Sequence, residues 1–149
     1  MLNEQIITNL TTSMKQKDEL KTSVLRMLKS AVKNKAIEKK VQSLDDSEIL
    51  SVIQKEIKQR RDSIEEFKKA GRLELVAKEE KEVQMLECYL PKQLTDDDLK
   101  NLVLSIITQT GAKSKADMGK VIKEVMAKAQ GQADGKRISS VVASSLVNP

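Results

Sequence analysis

The sequence predicts an all-α protein, with an N-terminal helical domain that contains a long antiparallel helix hairpin and a small C-terminal three-helix domain. Three observations support this fold class. Apolar residues recur at the spacing of a helix face, no stretch alternates with the two-residue period of a strand, and helix-capping residues precede the periodic segments. With 39% hydrophobic and 33% charged residues over 149 positions, the composition is typical of a soluble helical chain.

Two helices are predicted at the N-terminus. The first runs from Leu2 to about Lys17, because every fourth position is apolar: Leu2, Ile6, Leu10 and Met14. Asp18 and Glu19 suit the first turn of a second helix, which extends to about Lys40. Its predicted buried face consists of five residues: Leu20, Val24, Met27, Leu28 and Ala31.

The second helix also carries a row of basic residues. Arg26, Lys29 and Lys33 follow the i, i+3, i+7 spacing, and the stretch from Lys15 to Lys40 holds nine basic residues against three acidic ones. Such rows usually keep a surface solvated, and the alternative is that this row extends a phosphate-binding face.

The predicted hairpin follows. Asp45 and Asp46 begin a long third helix that ends before Gly71, with apolar residues at heptad spacing: Leu50, Ile53, Ile57, Ile64 and Phe67. A fourth helix runs from about Leu73 to Leu90, with a matching apolar series: Val76, Val83, Leu86 and Leu90. Cys88 is predicted to pack among these apolar positions.

One charged residue interrupts each apolar series of the hairpin. Arg60 stands in the third helix and Glu79 in the fourth, and an antiparallel arrangement brings them diagonally near each other. We therefore predict a structural ion pair between Arg60 and Glu79 that fixes the register of the hairpin more than it adds net stability. A functional role for Arg60 is the alternative.

Pro91 ends the helical pattern and marks the domain boundary, so the predicted domains are residues 1–92 and 93–149. Thr95 caps a fifth helix, and the acidic residues Asp96 to Asp98 fill its first turn. Capping explains this acidic run without a magnesium ion. Gly111 ends the helix.

The last two predicted helices meet at a glycine-bounded turn. Ser114 caps the first of them, and Gly131 ends it as a left-handed cap. Asp134 then caps a final helix whose first turn contains Gly135, Lys136 and Arg137. Free backbone N–H groups, the helix dipole and two cations together predict an anion site, with phosphate as the ligand. The alternative is that Lys136 and Arg137 are simply solvated residues beside a turn.

Missing residue types exclude several functions. The chain has no histidine and one cysteine, so it lacks the usual general base, a disulfide and a metal-ligand set. We therefore predict no catalytic residues, no metal and no cofactor. No apolar run is long enough to span a membrane, and the N-terminus does not read as a signal sequence, so a cytoplasmic location is predicted.

The near absence of aromatic residues limits how the chain could bind RNA. One Phe and one Tyr cannot stack successive unpaired bases, as sequence-specific readers of single strands do. A net charge of +5 permits nucleic-acid binding. Structured RNA held through its phosphate backbone is therefore the form of binding that the composition favours.

Four segments resemble the YqeY-like family, also called the GatB/YqeY family. They are IKQRRDSIEEFKKAGR at residues 57–72, YLPKQL at 89–94, GAKSKADMGKVIKEVM at 111–126 and GQADGK at 131–136. The resemblance implies a two-part helical protein whose C-terminal part is similar to the tail of the B subunit of aspartyl/glutamyl-tRNA amidotransferase. In that enzyme the tail grips the body of the tRNA. The family's label of carbon–nitrogen ligase with glutamine as amido-N-donor is inherited from the amidotransferase and does not come from catalytic residues in the tail.

The resemblance also implies an RNA-binding surface. The tRNA-facing elements of the tail correspond to Gly119, Lys120 and Lys123, and to the turn that contains Gly131, Ala133, Asp134, Gly135 and Lys136. A basic residue usually follows the first glycine of this turn, and Gln132 stands there instead, so one charge-assisted bond to phosphate is lost. The complete set of candidate RNA-binding residues adds Lys113, Lys115, Gln132 and Arg137.

The predicted function is that of a non-catalytic tRNA-binding or tRNA-enzyme accessory protein. Its expected partners are tRNA or another structured RNA, and an aminoacyl-tRNA synthetase or amidotransferase. Two alternatives stay open. The chain could be a helical protein–protein adaptor, or a component of a glutamine-dependent amidotransferase, although it lacks a nucleophile with an adjacent base.

Overall fold

The computed structural model describes residues 1–146 and confirms the all-α fold. Within these residues there are seven α-helices and no β-strand. The helices are α1 (Leu2–Lys15), α2 (Glu19–Glu38), α3 (Asp46–Lys69), α4 (Leu73–Glu87), α5 (Asp96–Thr110), α6 (Met118–Ala129) and α7 (Gly135–Ser145), with a 3-10 turn at Lys115–Asp117. The last three residues of the predicted C-terminal domain, 147–149, lie outside the described part.

Contacts group the chain into two units, each with its own hydrophobic core. The N-terminal unit comprises Met1–Leu90 and contains α1 to α4, and the C-terminal unit begins at Pro91 and contains α5 to α7. In the N-terminal unit the largest fully buried side chains are aliphatic: Ile6, Leu25, Leu28, Ile49, Ile53 and Leu86. In the C-terminal unit all three helices contribute to the core: Leu99, Val103, Val121, Val125, Ile138 and Val142.

Side-chain caps begin α2, α3 and α5: Thr95 is the predicted cap of α5, and Asp18 and Asp45 lie at the predicted starts of α2 and α3. Asp45 accepts a hydrogen bond from the backbone N–H of Glu48 at 2.8 Å, and the Glu48 carboxylate accepts one from the N–H of Asp45 at 3.2 Å. Asp18 and Thr95 accept equivalent bonds at the starts of α2 and α5. These caps satisfy N–H groups that the helix itself cannot pair, which is why their positions can be read from sequence.

The predicted buried face of α2 is partly wrong, and in α1 the last residue of the apolar series is not buried. Met14 is exposed, and the neighbouring Ser13 is buried, with its hydroxyl bonded to the Leu10 carbonyl at 2.8 Å and 2.9 Å from the Thr22 hydroxyl. In α2, Met27 is 53% exposed and Ala31 is only half-buried, whereas Leu25 and Val32 are buried. The buried face of α2 is therefore rotated, because β-branched and leucine side chains one position away fill the core.

The hairpin forms as predicted in outline, and α3 and α4 make the most extensive helix contact of the N-terminal unit. Phe67 and Val76 belong to the same core. The helix α4 ends at Glu87, earlier than predicted, so Cys88 follows the helix and is exposed. The predicted packing role of Cys88 is therefore wrong. Its thiol donates to the carbonyl of Gln84 at 3.3 Å.

The ion pair of the hairpin has different partners from the predicted one. Arg60 is 6% exposed, and its Nε donates to Oε2 of Glu82 at 3.2 Å while its Nη1 donates to Oε2 of Glu56 at 2.9 Å. Glu82 is itself buried. The prediction of Glu79 as the direct partner is corrected to Glu82, one helical turn further along α4, because the register of the hairpin places Glu82 opposite the guanidinium.

Glu79 lies beside this pair and carries an energetic cost. Burial is the main factor that raises the pKa of Glu79 above its ordinary value of 4.5, and the charge of Glu82 raises it further. The positive charges of Arg60 and Lys78 act in the opposite direction. The folded chain therefore binds the Glu79 proton more tightly than the unfolded chain does. Ionising this carboxyl destabilises the fold.

We expect Glu79→Gln to stabilise the protein at pH 7 and to have little effect at pH 4. Below the ordinary pKa of 4.5 the wild-type carboxyl is neutral in both states, and stability is lost as the pH rises through the raised pKa. Glutamine stays neutral and removes this loss. Thermal unfolding at the two pH values should show a rise in Tm on the order of 2 °C at pH 7 only. A lower Tm at pH 7 would mean that the ionised Glu79 stabilises the hairpin.

Candidate functional site

Asp134 begins α7, as predicted. Its carboxylate accepts a hydrogen bond from the backbone N–H of Arg137 at 2.7 Å, and Gly135 is the first helical residue. On its inner face α7 buries Ile138 and Val142 in the core of the C-terminal unit. The burial of this face fixes the direction in which the first turn of the helix presents its polar residues.

The turn before α7 consists of residues 130–134. Gln130, and not Gly131 as predicted, is the C-cap of α6: it has a left-handed backbone with φ of 41°, and its N–H bonds to the Met126 carbonyl at 3.2 Å. Gly131 follows, also with positive φ, at 84°. Two successive left-handed residues reverse the chain sharply, and glycine adopts such a conformation with no steric cost.

Residues before α5 hold this turn in place. The N–H of Leu94 donates to the Gln132 carbonyl at 2.8 Å, and the side-chain amide of Gln93 donates to the Gly131 carbonyl at 2.9 Å. Neither Gln93 nor Leu94 is among the residues predicted for this site. Because these contacts join segments almost forty positions apart, no local pattern in the sequence reports them.

Arg137 also connects α7 to the residues before and at the start of α5, and it is not a free cation. Its Nη2 donates to the carbonyl of Leu94 at 2.8 Å and to Oδ1 of Asp96 at 3.1 Å. The Arg137 side chain is 33% exposed, and the carboxylate of Asp96 offsets its charge. The structure therefore gives Arg137 a role in joining α7 to the start of α5, which the prediction of a phosphate ligand did not include.

The predicted residues of the turn differ in their accessibility. The side chain of Ala133 is 4% exposed and packs in the core of the C-terminal unit, so it cannot contact a ligand directly. Its predicted RNA contact is corrected to a packing role, because a small apolar side chain is what the inside of this turn admits. Gly131, Gln132 and Asp134 are partly exposed.

The start of α6 is built differently from that of α7. A 3-10 turn precedes it, in which the Ser114 hydroxyl accepts from the N–H of Ala116 at 3.3 Å. Asp117 turns its carboxylate to the N–H of Lys113, at 3.1 Å, and makes no side-chain cap for α6. No side chain of this cap position therefore shields the first turn of α6, which includes Gly119 and Lys120.

Five candidate lysines of the C-terminal unit are exposed: Lys113, Lys115, Lys120, Lys123 and Lys136. Among residues 1–146, no carboxylate forms a salt bridge with any of them. Lys120 and Lys123 lie three positions apart on α6 and therefore share one face of the helix. Their charges are available to an external anion.

Packing within the chain does not explain the glycines at the two helix starts. A Cβ atom built on Gly119 or on Gly135 would meet no atom within 4 Å, and neither residue has a positive φ. A glycine inside a helix costs about 1 kcal/mol relative to alanine. Each of these glycines precedes an exposed lysine, Lys120 or Lys136, so a residue without a side chain and a positive charge occur together at both helix starts.

Neither a metal-ligand group nor a helix able to span a membrane occurs among the described residues. Within residues 1–146, no group of three or more acidic or cysteine side chains is placed to hold a metal ion. In the same part of the chain, none of the helices combines the length and the apolar content that crossing a membrane requires.

Comparison with known proteins identifies relatives. A family model described as "Yqey-like protein" matches residues 3–146. A Saccharomyces cerevisiae protein named "Altered inheritance of mitochondria protein 41, mitochondrial" is 34% identical over 128 residues, which cover 82% of this chain and 64% of the relative. Proteins of the same name from Lachancea thermotolerans and Vanderwaltozyma polyspora are 42% and 37% identical, over 50% and 52% of this chain and 40% and 42% of their own length.

These names overturn the predicted cytoplasmic location, because the reported relatives are named as mitochondrial proteins. The hydropathy of a helical chain does not specify its compartment, so the lack of a long apolar run was not a sound basis for that prediction. The chain spans 64% of the length of the Saccharomyces cerevisiae relative.

Proposed function

Because the chain belongs to the YqeY-like family, which its match over residues 3–146 establishes, we propose that it is a non-catalytic tRNA-binding or tRNA-enzyme accessory protein. The resemblance of the four sequence segments to this family is thereby confirmed. In this proposal the C-terminal unit holds structured RNA through its phosphate backbone, and an aminoacyl-tRNA synthetase or amidotransferase is the partner enzyme.

The observation that carries the proposal is the pairing of a glycine with an exposed lysine in the first turns of α6 and α7, where Gly119 is exposed and Gly135 is half-buried. Gly119 and Lys120 form the first pair, and Gly135 and Lys136 the second. A helix start presents unpaired N–H groups and a positive dipole end, and a residue without a side chain lets a phosphate approach them closely. The neighbouring lysine adds a full charge.

The remaining lysines extend this surface without adding a means of reading bases. Lys113 and Lys115 lie just before α6, and Lys123 lies one turn after its start. A lysine ammonium binds phosphate as a flexible point charge and distinguishes no sequence. Arg137 and Ala133 take structural roles in this proposal: the first joins α7 to the start of α5, and the second packs in the core beneath the turn.

A filter-binding titration of the complete chain with bulk tRNA tests this function. We expect binding at low salt whose affinity falls linearly with the logarithm of the salt concentration, as counterions are released from the phosphates. Single-stranded homopolymer RNA serves as the comparison, because a surface without aromatic residues should not favour unpaired bases. No detectable binding of tRNA at low salt would refute the proposal.

Gly119→Ala is expected to change stability and affinity in opposite directions. The added methyl meets no atom of the chain, so the substitution should stabilise the fold by roughly 0.5–1 kcal/mol. The same methyl would keep a phosphate away from the first turn of α6 and weaken tRNA binding. Urea unfolding and filter binding measure the two effects.

Ala127→Ser supplies the control for Gly119→Ala, because Ala127 is exposed on the same helix, two turns away from its start. This variant should bind tRNA as the wild type does. If Gly119→Ala also binds unchanged, the glycine does not serve close approach of the ligand.

A further inference from the structure

The N-terminal unit carries an uncompensated basic surface on α2. Between Glu19 and Glu38 this helix has five basic residues and no acidic one. Three of them, Arg26, Lys29 and Lys33, are exposed and follow the i, i+3, i+7 spacing that places them along one side of the helix. These three residues are called the α2 stripe.

No carboxylate of the described residues neutralises the α2 stripe. The other lysines towards the end of the helix are paired: Lys35 with Glu38 at 3.5 Å, and Lys39 with Glu48 of α3. Within residues 1–146, no salt bridge involves Arg26, Lys29 or Lys33. The acidic residues of this unit thus compensate one edge of α2 and leave the other edge positive.

Repulsion between the charges of the α2 stripe destabilises the free protein slightly. Lys29 and Lys33 are four positions apart, and like charges at that spacing repel each other by about 0.2–0.5 kcal/mol on a helix surface. A polyanion laid along α2 would replace this repulsion with attraction. The stripe offers successive charges about one helical turn apart, which suits a ligand with regularly repeated charge.

The chemistry of the surface favours a nucleic-acid backbone over a lipid surface. The apolar side of α2 is the buried one: Val24, Leu25, Leu28 and Val32 belong to the core of the N-terminal unit. A helix that lies on a membrane needs its apolar face free for the headgroup boundary. The exposed apolar side chains of α2, Met27 and Ile37, lie ten positions apart and do not form such a face, so the α2 stripe offers only its charge.

We propose that the α2 stripe is a second contact surface for the phosphate backbone of structured RNA, separate from the helix starts of the C-terminal unit. This inference deepens the proposed function and rests on it. Each of the three cations neutralises one phosphate, and the surface adds affinity without sequence preference.

The test compares two triple variants of the complete chain with the same change in net charge. The first is Arg26→Gln, Lys29→Gln and Lys33→Gln. The matched control is Lys55→Gln, Lys58→Gln and Lys81→Gln, at three exposed lysines of α3 and α4, of which Lys55 and Lys81 have glutamates beside them in the sequence. Both variants should remain folded, and thermal unfolding of the stripe variant should show an equal or slightly higher Tm, because repulsion has been removed.

Filter binding with tRNA across a salt series gives the decisive result. We expect the stripe variant to bind on the order of tenfold more weakly at low salt and to reduce the salt slope by about 3, one for each lost phosphate contact. The control should stay close to the wild type. Equal losses in the two triple variants, or no loss in either, would overturn the proposal.

Two further experiments distinguish a failure of this inference from a failure of the function on which it rests. Lys120→Glu with Lys123→Glu in the same assay tests the C-terminal surface: if only this variant weakens binding, the α2 stripe fails and the proposed function stands. If only the stripe variant weakens binding, the stripe stands and the C-terminal surface fails.

Sedimentation with vesicles of phosphatidylcholine and phosphatidylserine tests the lipid alternative. A vesicle interaction that depends on the α2 stripe, without an effect of the stripe variant on tRNA binding, would overturn the assignment.

Discussion

Replacing Lys120 and Lys123 with glutamate is expected to weaken tRNA binding by roughly thirtyfold or more at low salt. Both side chains are exposed on one face of α6, one turn from the helix start, so each reversal exchanges an attraction for phosphate with a repulsion. Neither lysine makes a salt bridge among the described residues, so the fold should be unaffected. Filter binding and thermal unfolding measure the two quantities.

Lys92→Glu with Lys100→Glu is the matched control for this double reversal. Both lysines are exposed in the same unit, and the change in net charge is identical. Lys100 lies on α5, beyond the acidic run Asp96 to Asp98, away from the two glycine–lysine pairs in the sequence. A similar loss of affinity in both double variants would mean that net charge, and not the start of α6, governs binding.

Arg60→Met is expected to destabilise the protein by about 3–5 kcal/mol. The substitution keeps much of the side-chain volume and removes the only cation that the described residues place against Glu56 and Glu82. The buried Glu82 would then have neither its ion pair nor water, and its repulsion with Glu79 would increase. Urea unfolding at pH 7 measures the loss.

Arg61→Met is the control, because the adjacent arginine pairs with Glu87 while 51% exposed. Exposed ion pairs contribute little, so this variant should lose less than about 1 kcal/mol. Adding Glu56→Gln and Glu82→Gln to Arg60→Met should restore part of the stability, since the unpaired charges are then gone. Equal losses of unfolding free energy for the two arginine variants would show that the buried ion pair contributes no more to stability than the exposed one.

The helix positions were predictable because their signals are local. A capping side chain acts on N–H groups two or three residues away, so Asp45, Thr95 and Asp134 reveal the starts of α3, α5 and α7 in the sequence alone. The buried face of α2 was less predictable. The spacing of apolar residues indicates which side of a helix is buried only to within about one residue. Whether Leu25 or Met27 is buried depends on the shape of the core.

Contacts between distant segments set the limits of prediction. The sequence indicated that Arg60 needs an acidic partner in α4, but Glu79 and Glu82 lie one turn apart, and only the register of the hairpin selects between them. In the same way, the sequence indicated the cationic character of Arg137 and could not indicate its bond to Asp96. At these positions the sequence indicates the kind of interaction each arginine makes, and it does not indicate which residue is the partner.

The hydrogen bonds that hold the turn at residues 130–134 affect the free energy with which this surface would bind the proposed RNA ligand. Gln93 and Leu94 anchor that segment at two points in the free protein, and Arg137 holds Leu94 to the start of α7. The loop therefore does not have to become ordered when a ligand arrives, and the entropy lost on association falls mainly on the long lysine side chains, at about 0.5–1.5 kcal/mol for each one immobilised. Recognition by this surface should accordingly proceed as the docking of a preformed shape, with fast exchange and without coupled folding.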